Sequence, residues 1–362
     1  MKNQQIAIEE ALNAFLDTPP TSCEPFGNGH INNTYLVVAD RKYILQRMNT
    51  LAFPHPEKVM ENIIGVTEHI RRKVTAAGGD ASRATLLYFP TKAGEYLFRD
   101  SRNQAWRMCE FTENTTAYDT VESTKDFYNC AEAFGRFQQQ LADYPVHKLY
   151  ESIANFHNTP WRYENLMKAV EKDACGRLAE VTQEVEFAKQ REAFCNTLEQ
   201  AREAGTLPLR VTHNDTKLNN ILFDATTGEP VCVIDLDTVM PGYSVNDFGD
   251  AIRFGANTAA EDECDLSKVT LDLDLFEAHA TGFLKGCNGS LTETEVRLLP
   301  VGAMMMTLEC GMRFLTDYLE GDVYFKTHRP KHNLDRARNQ FALVADMERK
   351  LDQMNRIVEG LL

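Results

Sequence analysis

The chain has 362 residues, 43% of them hydrophobic and 25% charged, a balance that supports a buried core and excludes disordered, fibrous and collagen-like classes. At this length two domains or one large two-lobed domain are expected, since single cores stop growing beyond about 250–300 residues. Against 38 Lys and Arg stand 53 Asp and Glu; the net charge of -15 repels phosphate backbones and anionic bilayers, so neither nucleic acid nor membrane is expected as a partner.

The opening segment, MKNQQIAIEEALNAFL, reads as an amphipathic helix. Glu9 and Glu10 within it, and the lack of an apolar run ending in small residues, argue against a secretory leader. Segments 33–38 and 42–48 alternate β-branched and aromatic residues around a polar corner, which predicts a hairpin. Val59, Ile63, Val66, Ile70 and Val74 recur at three- and four-residue spacing and predict a helix closed by Gly78 and Gly79. Further strands are expected at 85–89, 95–98 and 106–111. From about Lys125 the period turns helical, through Phe127, Ala131, Phe134, Phe137 and Leu141, and a long charged helical stretch is expected over 162–204. A β-like island at 209–240 follows, and helices near 274–285, 294–320 and 333–360 close the chain. The expected architecture is α+β in two lobes, a strand-rich one over 1–112 and a helical one over 113–362. The nine cysteines form no C-x-x-C pair and are odd in number, which predicts reduced thiols, not a disulfide framework or zinc cage. No uncharged apolar run approaches 18 residues, and a cytoplasmic location is expected.

Chemistry concentrates in the island. A short apolar strand delivers His213, Asp215 and Asn220 to one loop, with Lys217 between them, and a second apolar strand ends at Asp235 and Asp237. The His-x-Asp-x-x-x-x-Asn spacing is that of a kinase catalytic loop, in which one Asp accepts the acceptor hydroxyl's proton while the Asn and a later Asp hold Mg²⁺ on the phosphates. Asp237 reads equally as an accessory metal ligand or a hydrogen-bonded structural carboxylate, and His213 equally as catalytic-loop machinery or a core imidazole. Upstream, Gly27 and Gly29 in F-G-N-G-H-I-N-N precede the first strand of the hairpin and can bring backbone N–H groups close to a phosphate.

The loop at 213–220, IDLDT at 234–238 and the two-lobed layout resemble the aminoglycoside phosphotransferase and choline kinase superfamily, which implies a protein-kinase-like fold. GNGHIN at 27–32, YILQRMN at 43–49, VTHNDTKLNNIL at 211–222, DFGDAIRFGAN at 247–257, ECGMRFL at 309–315 and LEGD at 319–322 resemble the N-acetylhexosamine 1-kinases within it, over roughly residues 20–350. That resemblance implies transfer of the ATP γ-phosphate to the anomeric hydroxyl of GlcNAc or GalNAc, with ATP and Mg²⁺ as cofactors. Carried over by position, it implies Asp215 as catalytic base and Asn220 and Asp235 as Mg²⁺ ligands. Gly27, Asn28, Gly29 and Asn32 would form the phosphate flap, and backbone groups near Glu110 and Phe111 would meet adenine. It also points to Arg313 at the sugar, with His30 at the flap tip touching sugar or phosphate.

One position departs from the superfamily pattern: where a phosphate-pairing Lys is usual, this chain has Gln46, followed by Arg47. Adjacent strand residues face opposite ways, so both cannot line one cleft without a bulge. Either the amide meets phosphate, or Arg47 reaches in, or another base supplies the charge. Arg313 has Glu309 and Asp317 four residues to either side, so an intrahelical ion pair competes with a ligand role. Arg253 is expected to pair with carboxylates behind the catalytic loop. Other readings of the sequence are a kinase for choline, homoserine or an aminoglycoside, a metal-dependent phosphohydrolase, and a silent nucleotide-binding module.

Overall fold

A computed structural model describes residues 2–27, 31–118 and 123–362. The amphipathic opening forms α1 (Lys2–Phe15), followed by β1 (Ser22–Pro25) and the expected hairpin of β2 (Asn33–Val38) and β3 (Lys42–Arg47). Helix α2 (Pro56–Ala76) starts on a proline, whose missing N–H costs nothing in a first turn. It is followed by Gly78 at φ 78°, in the left-handed region. Then come α3 (Ala81–Ala84), β4 (Tyr88–Phe89), β5 (Phe98–Arg99), β6 (Ala105–Glu110) and β7 (Thr115–Thr116).

Helix α4 (Thr124–Gln140) is capped by Ser123, which accepts from the Asp126 N–H. The charged stretch expected as one long helix is instead broken into α5 (Thr159–Lys172), α6 (Thr182–Lys189), α7 (Glu192–Cys195) and α8 (Thr197–Glu203). Asp173 and Gly176 take positive φ and end α5. The island supplies β8 (Arg210–Thr212), β9 (Ile221–Asp224) and β10 (Pro230–Val233). The remaining helices are α9 (Ser244–Gly255), α10 (Leu273–Cys287), α11 (Glu293–Arg297), α12 (Leu299–Glu320), which begins afresh at Pro300, and α13 (His332–Glu359). The α+β class expected from the sequence holds. All nine cysteines are free thiols, and among the described residues no helix is long and apolar enough to cross a membrane.

Two compact units result, each assembled from separate stretches of chain: Met1–Ala117 with Asp143–Ala154 and Leu222–Pro241, and Tyr118–Ala142 with Asn155–Ile221 and Gly242–Leu362. In the first, an antiparallel sheet runs β1-β2-β3-β6-β4, with β5 also on β6. Tyr35 and Val37 of β2, Tyr43 and Leu45 of β3, and Trp106 and Met108 of β6 point to one face and pack on Ala7, Ala11 and Leu12 of α1. Alternation sends Thr34, Gln46 and Arg107 to the opposite face. A smaller sheet of the same unit pairs β9 with β10 and β7.

The second unit is a helical body. Helices α9 and α12 cross backbone to backbone: a Cβ on Gly249 would sit 2.3 Å from the Gly302 carbonyl oxygen, and one on Gly302 2.2 Å from that of Val245. Only glycine at both positions permits this approach, and it seats α12 beside the helix that holds the 213–220 loop.

Candidate active site

The loop after β8 is held by one carboxylate. Asp247, on the first turn of α9, accepts from the His213 N–H (2.8 Å), the Asn214 N–H (2.7 Å) and the Gln138 side-chain amide (2.9 Å). Its own carbonyl accepts from the Thr216 hydroxyl at 2.5 Å. Burial pushes the Asp247 carboxyl up, and the surrounding donors only partly offset this. Asn214 adopts φ 65°, a left-handed conformation that Asn tolerates better than most residues. His213 is fully buried against Phe134 and Phe137, and its Nδ1 accepts from the Asp215 N–H. The imidazole therefore has the core surroundings that the sequence left as one of two possibilities.

Asp215 is half-buried and held through both oxygens: Oδ1 lies 2.7 Å from Lys217 Nζ, and Oδ2 accepts from Asn220 Nδ2 at 3.0 Å. Burial works against the Lys217 charge, but Asp215 and Asp250 outweigh it and raise the ammonium's pKa. Asn220 also donates to the Asp215 carbonyl at 2.8 Å. Its amide hydrogens are thus committed, while its amide oxygen makes no hydrogen bond among the described residues and is available to a cation. Behind the loop, Arg253 pairs with Asp250 (2.9 Å) and Glu261 (2.7 Å), as expected.

Within the same unit, Trp161, Arg162, Asn165, Thr316, Tyr324 and Phe325 line a cavity of about 420 Å³ together with Arg313. The intrahelical ion pair that competed for Arg313 does not form. Glu309 bonds His157 and Thr159, and Asp317 accepts the N–H groups of Val323, Tyr324 and Phe325. The Arg313 guanidinium instead lies against the rings of Phe156 and Phe325, 5.5 Å from each centroid. Arg162 faces the same cavity, with a buried Nε that has no hydrogen-bond partner among the described residues. Burial, and secondarily the charge of Arg313, brings the Arg162 pKa down to about 10.

In the first unit, the departure at Gln46 becomes intelligible. The β2–β3 register is regular, so no bulge turns Arg47 round. Arg47 bonds Asn33 and Gln104, on the face that carries α1. The base on the Gln46 face is Arg107, directly opposite Gln46 on β6. Its Nε donates to Gln46 Oε1 at 2.9 Å, and its Nη1 donates to Asp237 Oδ1. Arg107 and Asp237 are 2% and 3% exposed. Asp237 Oδ2 accepts from Asn32 Nδ2 at 2.6 Å. Both oxygens of Asp237 therefore accept from protein donors, the surroundings of a hydrogen-bonded structural carboxylate. Asp235, two residues earlier, is exposed and sits at φ 57°, directly before a turn of 3-10 helix.

Other expected nucleotide residues lie in this unit. Gly27 takes φ 74°; Asn28, Gly29 and His30 lie outside the described residues. Asn32 is held at both ends of its side chain, by Asp237 and by the Asn49 N–H. The N–H groups of Glu110 and Phe111 donate to Leu87 and Lys42 carbonyls, and the Phe111 ring packs edge-on to Phe26.

Arg107 and His157 carried no signal in the sequence, and Asp247 entered only as part of the string at 247–257. Arg107 sits in an apolar strand, its partners 61 and 130 positions away. Asp247 is one acid among 53. His157 stands alone in an irregular segment. Among the described residues no three His, Cys, Asp or Glu side chains cluster as a metal site.

The chain matches the phosphotransferase enzyme family over residues 22–278. It is similar to solved structures of a microcompartment-associated aminopropanol kinase (15% identity, TM-score 0.60, covering 96% of this chain and 98% of that one) and an aminoglycoside phosphotransferase from Alicyclobacillus acidocaldarius (15%, 0.61, 99% and 96%). It is also similar to amicoumacin kinase in complex with AMP-PNP and Ca²⁺ (15%, 0.60, 96% and 94%). The shared feature is the two-lobed, kinase-like α+β fold.

Proposed function

The chain belongs to the phosphotransferase enzyme family, and from that premise we propose that it transfers the ATP γ-phosphate to the anomeric hydroxyl of an N-acetylhexosamine, giving the sugar 1-phosphate. The observation that carries the acceptor half of this reading is Arg313. Its guanidinium has no hydrogen-bond or ion-pair partner among the described residues, and it projects between two aromatic rings in a cavity that adds Trp161, Asn165 and Tyr324. A pyranose presents the complementary surfaces, apolar C–H faces and a rim of hydroxyls, and the acetamido group adds one carbonyl acceptor for a guanidinium.

In this reading Asp215 orients the acceptor hydroxyl and takes its proton as the bond to phosphorus forms. Lys217 and Asn220 keep the carboxylate in one orientation, so little reorganisation accompanies the step. Asn220, whose amide oxygen has no hydrogen bond among the described residues, and Asp235 are the residues that would hold Mg²⁺. Two protein oxygens are a usual complement for this ion, whose other ligands are phosphates and waters, and when bound it neutralises charge on the β and γ oxygens. AMP-PNP and Ca²⁺ in the amicoumacin kinase structure support nucleotide and divalent cation here. Because the Gln46 face carries an Arg107 already neutralised by Asp237, the triphosphate charge falls mainly to the metal and to backbone N–H groups around Gly27.

ADP release measured across a panel of hydroxyl acceptors tests the proposal. N-acetylhexosamines should give the highest kcat/KM, and preference for an aminoglycoside, choline or homoserine would replace the sugar assignment while leaving the family intact.

A further inference from the structure

Helix α12, which carries Arg313, is linked to the loop that carries Asp215 through a single side chain. His157 Nδ1 lies 2.9 Å from Glu309 Oε1 on α12, and its Nε2 lies 3.3 Å from the carbonyl oxygen of Asn214, the residue before Asp215. The other Glu309 oxygen accepts from the Thr159 hydroxyl at 2.7 Å. The two side chains are 9% and 1% exposed. Burial alone would raise the Glu309 carboxyl, yet His157, Arg313 and Thr159 together hold it below the usual range, so it is an acceptor only. A backbone carbonyl is also an acceptor only. The imidazole thus faces an acceptor with each of its ring nitrogens.

The contact completes the clamp on the loop. Asp247 fixes the N–H groups of His213 and Asn214, and His157 fixes the Asn214 carbonyl. On its other side the His157 ring lies 4.4 Å from that of Phe156, one of the two rings against Arg313. Asp250, whose carboxyl Arg253 and then Lys217 hold below its usual range against the effect of burial, lies behind the loop.

We propose that His157, anchored by Glu309, is a positioning residue that fixes the Asn214 carbonyl and thereby the direction of Asp215, tying the wall of the Arg313 cavity to alignment of the base. This rests on the reading of Asp215 as the base. His157→Gln replaces two ring nitrogens, each facing an acceptor, by donors on a single nitrogen, and losing a buried charge-assisted hydrogen bond should lower kcat about tenfold to a hundredfold. With N-acetylglucosamine as acceptor, His157→Gln should show that fall with the KM for ATP unchanged. Adding Glu309→Gln should lower kcat no further, because Glu309 acts through His157.

A kcat within twofold of wild type in His157→Gln, beside an inactive Asp215→Asn, overturns this proposal alone. Wild-type turnover in Asp215→Asn overturns the reading of the base and this proposal with it.

Discussion

Replacing Arg107 by Met tests the buried network that stands where a phosphate-pairing lysine is usual. The substitution keeps most of the side-chain volume but leaves Asp237, 3% exposed, with the Asn32 amide at 2.6 Å as its remaining side-chain donor, and strips Gln46 Oε1 of its donor. Stranding one member of a buried pair costs about 3–5 kcal/mol, and the unpaired amide oxygen adds about 1 kcal/mol. The chain has 2 tryptophans, Trp106 beside Arg107 on β6 and Trp161 in the other unit. In a Trp161→Phe background, urea denaturation followed by Trp106 fluorescence therefore reports on the first unit alone. Arg107→Met should lower that unit's unfolding free energy by about 4–6 kcal/mol. The double variant Arg107→Met with Asp237→Leu should recover most of it, since a buried pair replaced whole by apolar groups is often neutral. A loss below about 1 kcal/mol in Arg107→Met, or a double variant less stable than the single, would refute the argument that these charges are mutually dependent.

Arg313→Ala should raise the acceptor KM about tenfold or more while the KM for ATP stays put; an equal rise in both would remove Arg313 from acceptor recognition. In Asp247→Asn an amide NH₂ must face one of the two N–H donors of the 213–214 loop, so kcat should fall at least about tenfold, with roughly 1–3 kcal/mol less stability in chemical denaturation; unchanged kcat would show that the clamp is dispensable. Lys73 first, then His69, hold the Asp143 carboxyl at about 2. Its folded value lies below the unfolded one, so its stabilisation is present above about pH 4 and fades as pH falls towards about 2. With 63% of that side chain exposed, screening keeps the contribution under about 1 kcal/mol, and acid unfolding of Asp143→Asn should differ from wild type only in that window.

Where the sequence carried local periodicity, the fold was legible from it. The alternation in 33–38 and 42–47 and the spacing of Val59, Ile63, Val66 and Ile70 each correspond to an element with those residues inward. Periodicity overstated the strands expected at 85–89 and 95–98, where β4 and β5 have 2 residues each, and gave no sign of β1, which is polar and ends in proline. It also overran at 162–204, where the charge pattern continues through turns that only the positive φ of Asp173 and Gly176 reveals. At the site, the short-range spacing of Asp215, Lys217 and Asn220 was readable because the loop itself brings these groups together. Arg107 and His157 were not, because their roles are set by partners up to 152 positions away and no spacing rule encodes a cross-strand or interhelical contact; Asp237 was singled out by its strand, but its partners were not.

Phosphorus NMR of the product formed from ATP, Mg²⁺ and N-acetylglucosamine tests the central claim most directly. The account predicts a phosphate resonance coupled to the anomeric proton, formed by the wild-type chain and absent with Asp215→Asn. A 6-phosphate, free inorganic phosphate without sugar product, or the same 1-phosphate from Asp215→Asn would contradict it.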